Sequence, residues 1–310
     1  MIRATVGACT DVGRVRDGNE DSFVVIDGLY FVADGMGGHS AGEVASAIAV
    51  GTLSDLHTSA DGGLVDEDQV ADAVSTANLA IFMEAIEDPS KAGMGTTLTG
   101  LVVTDVLAHK IVVANVGDSR TYLWRHGELR QVTKDHSHVQ SLVDRGAITR
   151  AEARVHFQRN IVLRAMGIES YVDVDTFPLD VEDGDRFILC SDGLVDEAAD
   201  DEIEAEIREA SGVQDLADRL VNLANRNGGR DNTTVVVVDF EIVDEPTVNA
   251  TTVADVSSAA IGSDDEHELI CTLPPDDASR PSPWFAVGAW SMFALSAAIT
   301  VAVMVSAFVS

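Results

Sequence analysis

The sequence predicts an α+β fold, antiparallel sheets covered by helices, in one domain spanning residues 1–240. Two observations predict it. Apolar strand segments come in runs joined by tight turns, with helical segments grouped between the runs, whereas a doubly wound parallel sheet alternates strand and helix one by one. Composition then shifts after Phe240, where large apolar residues become scarce.

The elements follow in order. Ala4–Cys9 reads as a short strand, and Ser22–Ile26 and Leu29–Ala33 flank Asp27-Gly28, a hairpin signal. Ala41–Leu56, rich in Ala and Val, reads as a helix, and Glu67–Ile86 as a second with Asp66 as its N-cap. Strands are expected at Thr96–Thr104, Lys110–Asn115, Arg120–Arg125 and Glu128–Thr133, with His126-Gly127 turning between the last two. Short helices follow at Ser137–Arg145 and Arg150–His156, then strands at Tyr171–Phe177 and Arg186–Cys190. Helices at Asp201–Glu209 and Gln214–Asn227 precede a closing strand, Thr233–Phe240, whose Val-Val-Val-Val run reads as buried.

Residues 241–283 hold ten acids against one base, Arg280, and cannot bury a core. They read as a flexible, self-repelling linker. It is either a spacer repelled from an anionic membrane or a carrier of regulatory phosphosites at Thr247, Thr251 and Thr252. Residues 284–310 contain no charged residue, and Trp284 and Trp290 stand near the start. As a helix at ~1.5 Å per residue the run is roughly 40 Å long, against a hydrocarbon core of ~30 Å. A single C-terminal transmembrane anchor is expected, with interface aromatics at one end.

The 310 residues carry a formal net charge of −32. That argues against nucleic-acid binding, which needs a basic footprint. Solubility, a salty cytoplasm or a cationic partner would each account for the acid excess. Cys9, Cys190 and Cys271 have neither disulfide-framework nor zinc spacing. The N-terminal segment lacks an apolar run of signal-peptide length. A cell-membrane, single-pass protein with a cytoplasmic main domain is the expectation.

The chemistry-bearing pattern is a set of carboxylates at strand ends. Phe31-Val-Ala-Asp-Gly-Met-Gly-Gly-His39 runs an apolar strand into Asp34 and then into glycines. Gly-Asp-Ser-Arg places Asp118 after a strand, Cys-Ser-Asp-Gly places Asp192 after another, and Asp231 stands just before the last. Asn-Glu-Asp places Glu20 and Asp21 before the first hairpin. One strand-end Asp is ordinary turn chemistry. Five such sites converge if the strands lie side by side, and converged carboxylates repel unless a counter-charge joins them. Hard oxygen ligands favour Mg²⁺, Mn²⁺ or Ca²⁺. Glycine beside Asp34 lets a backbone carbonyl approach an ion. Arg16, four residues before Glu20, is of the type that grips phosphate by two parallel hydrogen bonds.

Together these segments resemble the metal-dependent (PPM, type 2C) serine/threonine protein phosphatases in their bacterial, membrane-anchored form. Arg-x-x-Asn-Glu-Asp at 16–21, Asp-Gly-Met-Gly-Gly-His at 34–39, Gly-Met-Gly-Thr-Thr at 93–97, Val-Gly-Asp-Ser-Arg at 116–120, Cys-Ser-Asp-Gly-Leu at 190–194 and Gly-x-Asp-Asn-Thr-Thr at 229–234 carry the resemblance, in the family's order. It implies an α-β-β-α sandwich of two antiparallel sheets. It implies two Mn²⁺ or Mg²⁺ ions, with a third weaker one in bacterial relatives. Asp34 would bridge two metals with the Gly35 carbonyl on one, and Asp192 and Asp231 would complete the other. Glu20 and Asp21 would act through waters, Asp118 would hold the third ion with Asp192, Arg16 would bind the substrate phosphate, and Asn232 would orient the site. Gly95-Thr96-Thr97 would support the core sheet.

The implied reaction is hydrolysis of phosphoserine or phosphothreonine in proteins by a metal-bridged hydroxide, opposing a membrane Ser/Thr kinase. One departure concerns the general acid. Animal relatives place a histidine where this chain has Met36, so a metal-bound water, His39, or the flap histidines His136 and His138 are the candidates. Cys190 reads as packing. A silent phosphoprotein-binding module and a small-molecule phosphatase are the competing readings, and hydrolysis of a small phosphate ester separates the first of them from an enzyme.

Overall fold

The computed structural model describes residues 1–37, 41–59 and 65–243. Strands are β1 (Ile2–Asp11), β2 (Asp21–Ile26), β3 (Leu29–Met36), β4 (Gly95–Thr96), β5 (Leu98–Asp105), β6 (Lys110–Val116), β7 (Arg120–Arg125), β8 (Glu128–Gln131), β9 (Asp175–Asp180), β10 (Arg186–Cys190) and β11 (Thr233–Ile242). Helices are α1 (Ala41–Ser59), α2 (Glu67–Glu87), α3 (His138–Asp144), α4 (Arg150–Arg154), α5 (Asp192–Glu197), α6 (Asp200–Glu209) and α7 (Val213–Asn227). One sheet runs β1-β11-β10-β7-β8 and the other β2-β3-β5-β6-β9, with β4 appended to β3, and every pairing is antiparallel. The expected sandwich is what the domain adopts. The linker and the apolar segment, beyond residue 243, lie outside the described residues, as does His39. Among the described residues no helix is long and apolar enough to cross a membrane.

Three apolar layers hold it together, and strand alternation builds them. In β3, Leu29, Phe31 and Ala33 face α1 and α2, while Tyr30 and Val32 face the other sheet. In β11, Val235 and Val237 pack on α5 and α7, while Val236, Val238 and Phe240 fill the space between the sheets. A strand buried on both faces loses its apolar–polar alternation, which is why the valine run is continuous. Asp66 caps α2 as expected, accepting from the Gln69 N–H at 2.8 Å, and the Gln69 side chain closes the capping box.

Four expectations are corrected. β3 does not end at Ala33 but runs through Asp34 to Met36, because Gly35 and Met36 pair with β4. The strand expected over Thr96–Thr104 is broken at Thr97, whose N–H donates to the Asp34 carbonyl at 2.9 Å and whose Oγ1 accepts from the Asp34 N–H at 3.1 Å. The strand expected at Tyr171–Phe177 lies at Asp175–Asp180, on the sheet edge, where Pro178 costs no ladder bond. A short helix, α5, begins at Asp192 where none was expected, since a single buried turn carries little periodic signal.

Candidate active site

The site lies at the end of the sandwich where β3, β6 and β10 finish and β2 and β11 begin. Asp21 and Asp34 are direct cross-strand partners. Both belong to the alternation that places Phe23, Tyr30 and Val32 between the sheets, so their carboxylates enter the gap at its open end. Asp192 reaches the same end from the facing sheet as the first residue of α5. Asp118 follows β6 through Gly117, and Asp231 precedes β11. The fold thus brings together five of the sequence-expected acids, with Glu20 and Arg16 beside them.

Their charges act on one another. Burial raises the Asp34 carboxyl well above its usual range, and Asp21, Asp192, Asp118 and Asp231 push it further. Burial likewise raises Asp192, reinforced by Asp118, Asp196 and Asp231. Asp21 is pushed up to about 6 and Asp118 to about 7, burial being the largest cause in each. Glu20, nearer solvent, is raised by burial and restrained by Arg16.

Several of these acids are held in place by their surroundings. Ser191 Oγ donates to Asp21 Oδ2 at 2.8 Å and accepts from the Thr234 N–H at 2.9 Å. Thr96 Oγ1 donates to the Asp34 carbonyl at 2.9 Å, and Thr97 and Ser119 hydroxyls meet at 2.7 Å beneath it. The support expected from Gly95-Thr96-Thr97 is therefore direct. Asn232 ties the Arg16 loop to β11: its Oδ1 accepts from the Glu20 N–H at 2.8 Å, and its Nδ2 donates to the Val12 and Gly18 carbonyls at 2.9 Å. Arg16 Nη2 donates to Asp231 Oδ2 at 2.7 Å, with the Arg16 side chain 48 % exposed.

The residues fit a hard divalent cation. The donors are oxygens, the carboxylates repel, and Asp21 Oδ1 is buried without a hydrogen-bond partner. A Cβ on Gly35 would overlap the carbonyl oxygens of Gly42 and Glu20, so three backbones meet there as only glycine permits. Among the described residues no three His, Cys, Asp or Glu side chains stand as a ready-made ligand set. Two interactions account for part of this: Arg16 holds Asp231, and Ser191 holds one oxygen of Asp21.

Three groups had gone unremarked in the sequence. Ser191 is one. Asp196 is another, one turn after Asp192 on the unexpected α5, raised by burial and paired with Arg159 at 3.2 Å. The third is the buried Arg120–Asp135 pair, bidentate at 2.9 and 2.7 Å, with Arg120 Nη1 donating to Tyr122 Oη at 2.8 Å. His136 is structural. Its Nδ1 accepts from the Gly117 N–H at 3.0 Å, its Nε2 meets Asp175 at 3.1 Å, and burial lowers its pKa. It therefore fixes the Asp118 turn rather than reaching a substrate. Cys190 is fully buried and its thiol is pushed up to about 12 by burial, consistent with packing.

The sequence signature described as Protein phosphatase 2C matches residues 14–234. The chain belongs to the protein phosphatase 2C family. The serine/threonine protein phosphatase PstP of Mycobacterium tuberculosis is 41% identical over 287 residues, covering 91% of this chain and 53% of that protein. The serine/threonine phosphatase stp of Listeria monocytogenes is 39% identical over 241 residues, covering 75% of this chain and 94% of the relative. The chain thus spans about half the length of the mycobacterial relative. The crystal structure of the M. tuberculosis phosphatase superposes with TM-score 0.72 at 41% identity, covering 78% of this chain and all of that one. A PstP catalytic domain in complex with two manganese ions gives TM-score 0.71 at 38% identity, again covering 78% and 100%. The phosphatase 2C fold of residues 1–243 therefore accounts for the position of each strand-end acid.

Proposed function

We propose that the domain is a metal-dependent phosphatase acting on phosphoserine and phosphothreonine in proteins. One observation carries the reading most: Asp21, Asp34, Asp118, Asp192 and Asp231, from separate segments of the chain, meet at one end of the sandwich, and burial and mutual repulsion raise the first four. Asp34, the Gly35 carbonyl, Asp192 and Asp231 would hold two Mn²⁺ or Mg²⁺ ions, Glu20 and Asp21 would act through waters, and Asp118 with Asp192 would hold a weaker third. When bound, such ions supply Lewis-acid polarisation and a nucleophilic water at neutral pH. The chain's own residues do the rest. Arg16 exchanges Asp231 for the substrate phosphate, to which it presents a bidentate fork. Asn232 and Ser191 keep Asp231 and Asp21 in place. Metal-dependent release of phosphate from a phosphothreonine peptide, lost with EDTA, tests the reading; none at any Mn²⁺ or Mg²⁺ concentration from a folded chain would favour a silent phosphoprotein-binding module.

Arg16→Ala is expected to lower kcat/KM on a phosphopeptide about 10²-fold. Arg16→Lys should recover only part, since an ammonium lacks the planar fork. Equal kcat/KM in Arg16→Ala would remove Arg16 from the phosphate-binding role.

A pH prediction follows from the buried acids. Asp21 rises from 3.8 to about 6 and Asp118 to about 7, so the folded state holds protons that the unfolded chain has released. Stability of the metal-free domain therefore falls as pH rises from about 4 towards 7. A dication replaces those protons, so the Tm gain on adding Mn²⁺ should be larger at about pH 7 than at about pH 5. Equal gains would separate metal binding from these carboxylates.

The uncharged run at 284–310 supports a single-pass membrane anchor with the domain on the cytoplasmic face, where a membrane Ser/Thr kinase would be its counterpart. Recovery of the full chain in a carbonate-washed membrane fraction, and release on removal of residues 284–310, tests it.

A further inference from the structure

Residues 145–164 carry five arginines and one acid, Glu152, in a chain of net charge −32. They contain α4 and lie between α3 and β9, following His136 and His138 in the segment that the family resemblance identifies as the flap. The same stretch leaves Val155 82% and Phe157 86% exposed, with Ile161 and Leu163 exposed as well. Single exposed apolar residues are ordinary, but a run of them among cations on an acidic protein is not.

Not all of these cations are neutralised. Arg159 pairs with Asp196 at 3.2 Å and Arg164 with Asp175 at 2.6 Å. Arg145 donates only to Ser141, and Arg154 to the Ala198 carbonyl at 2.8 Å. Arg150 makes no ion pair or hydrogen bond among the described residues; Asp144 is the acid that feels its charge. Arg150 and Arg154 line a cavity of about 210 Å³ that Asp118 and Asp192 also line. Of the other acids lining it, Asp135 is paired with Arg120, Asp196 with Arg159, and Asp200 accepts from the Tyr122 hydroxyl at 3.2 Å, while Asp201 makes no ion pair or hydrogen bond among the described residues. The cavity is therefore continuous from the carboxylate centre to unpaired guanidiniums.

We infer that this flap strip docks an acidic phosphoprotein segment, in which aspartates or glutamates flank the phosphorylated residue. With the phosphate at the centre, flanking carboxylates meet Arg150 and Arg154, and an apolar neighbour covers Val155 and Phe157. Charge complementarity selects this occupant, and guanidinium forks match carboxylates in shape as well as sign. The inference rests on the phosphatase reading and adds the class of sequence it acts on.

The test compares two phosphothreonine peptides with the full chain and Mn²⁺, one flanked by Asp and Glu, the other by Ala. The acidic peptide should show about tenfold higher kcat/KM, as expected for two or three exposed ion pairs. Added salt should shrink the ratio. Arg150→Glu should bring it to unity or invert it, and Arg150→Gln should give an intermediate value. No preference in the unsubstituted chain, or one that Arg150→Glu leaves intact, overturns the inference. A parallel arm measures binding of the same peptides with a non-hydrolysable phosphonate at the phosphosite, and a small aryl phosphate reports the chemistry separately. If nothing is hydrolysed, the phosphatase reading fails, while Arg150-dependent binding of the acidic phosphonate still supports the docking surface and equal binding of both peptides overturns it. Absent peptide preference together with phosphatidylglycerol-vesicle binding that Arg150→Glu weakens would assign the strip to a lipid surface instead, and would also overturn it.

Discussion

Asp34→Asn is expected to abolish phosphate release, by at least about 10³-fold in kcat, while raising the Tm of the metal-free protein by a few degrees. The two effects share one cause. Asp34 is partly buried and surrounded by Asp21, Asp192, Asp118 and Asp231, and its charge destabilises the metal-free fold. Asparagine keeps the volume and removes that charge, together with the carboxylate that the proposed reaction would use as a metal ligand. Activity assays and thermal scans with and without Mn²⁺ check both halves. Asp192→Asn should behave alike, since burial raises it and Asp118, Asp196, Asp231 and Asp21 push it further. Retained turnover in either variant would break the ligand assignment, and a lowered metal-free Tm would break the electrostatic account.

Gly193→Ala is expected to be the most damaging single methyl at the site. A Cβ there would overlap the backbone carbonyl oxygen of Asn232 and crowd Thr233 Oγ1 at 2.8 Å. Neither can move cheaply, because Asn232 is bonded to Glu20, Val12 and Gly18, and Thr233 opens β11. Overpacking of this kind costs about 1–3 kcal/mol or more, which for a domain of this size is a Tm loss of roughly 2–12 °C. Relief would come by parting α5 from the Asp231 loop, so activity should fall with stability. Calorimetry and peptide hydrolysis on the variant check this; an unchanged Tm would mean that the loop is freer than its hydrogen bonds indicate.

The acids were legible because their environment is local. Asp34, Asp118 and Asp192 each follow an apolar strand and adjoin glycine or serine, and such a signal survives without knowledge of the fold. Partners across the sheets were not. Ser191 looks like turn chemistry until Asp21, 170 positions away, is placed against it. His136 looked like an acid–base candidate because an isolated imidazole reads the same whether solvated or buried; only the Gly117 and Asp175 contacts decide. Arg120 reads as one more exposed cation, and its burial against Asp135 follows from the neighbouring strands.

By itself the sequence determined most of the strands and the longer helices, through alternation and turn chemistry, and which carboxylates sit at strand ends. It also determined the charge contrast between the flap and the rest of the chain, since composition needs no fold. The tertiary structure alone decided that β3 continues past Asp34, because that continuation depends on pairing with β4 some sixty residues later. It alone decided that Arg16 meets Asp231, 215 positions away, and that Asp21 stands opposite Asp34 between two sheets. The physical reason is range: backbone propensity acts over a few residues, whereas desolvation and carboxylate repulsion depend on what distant strands bring within a few ångströms.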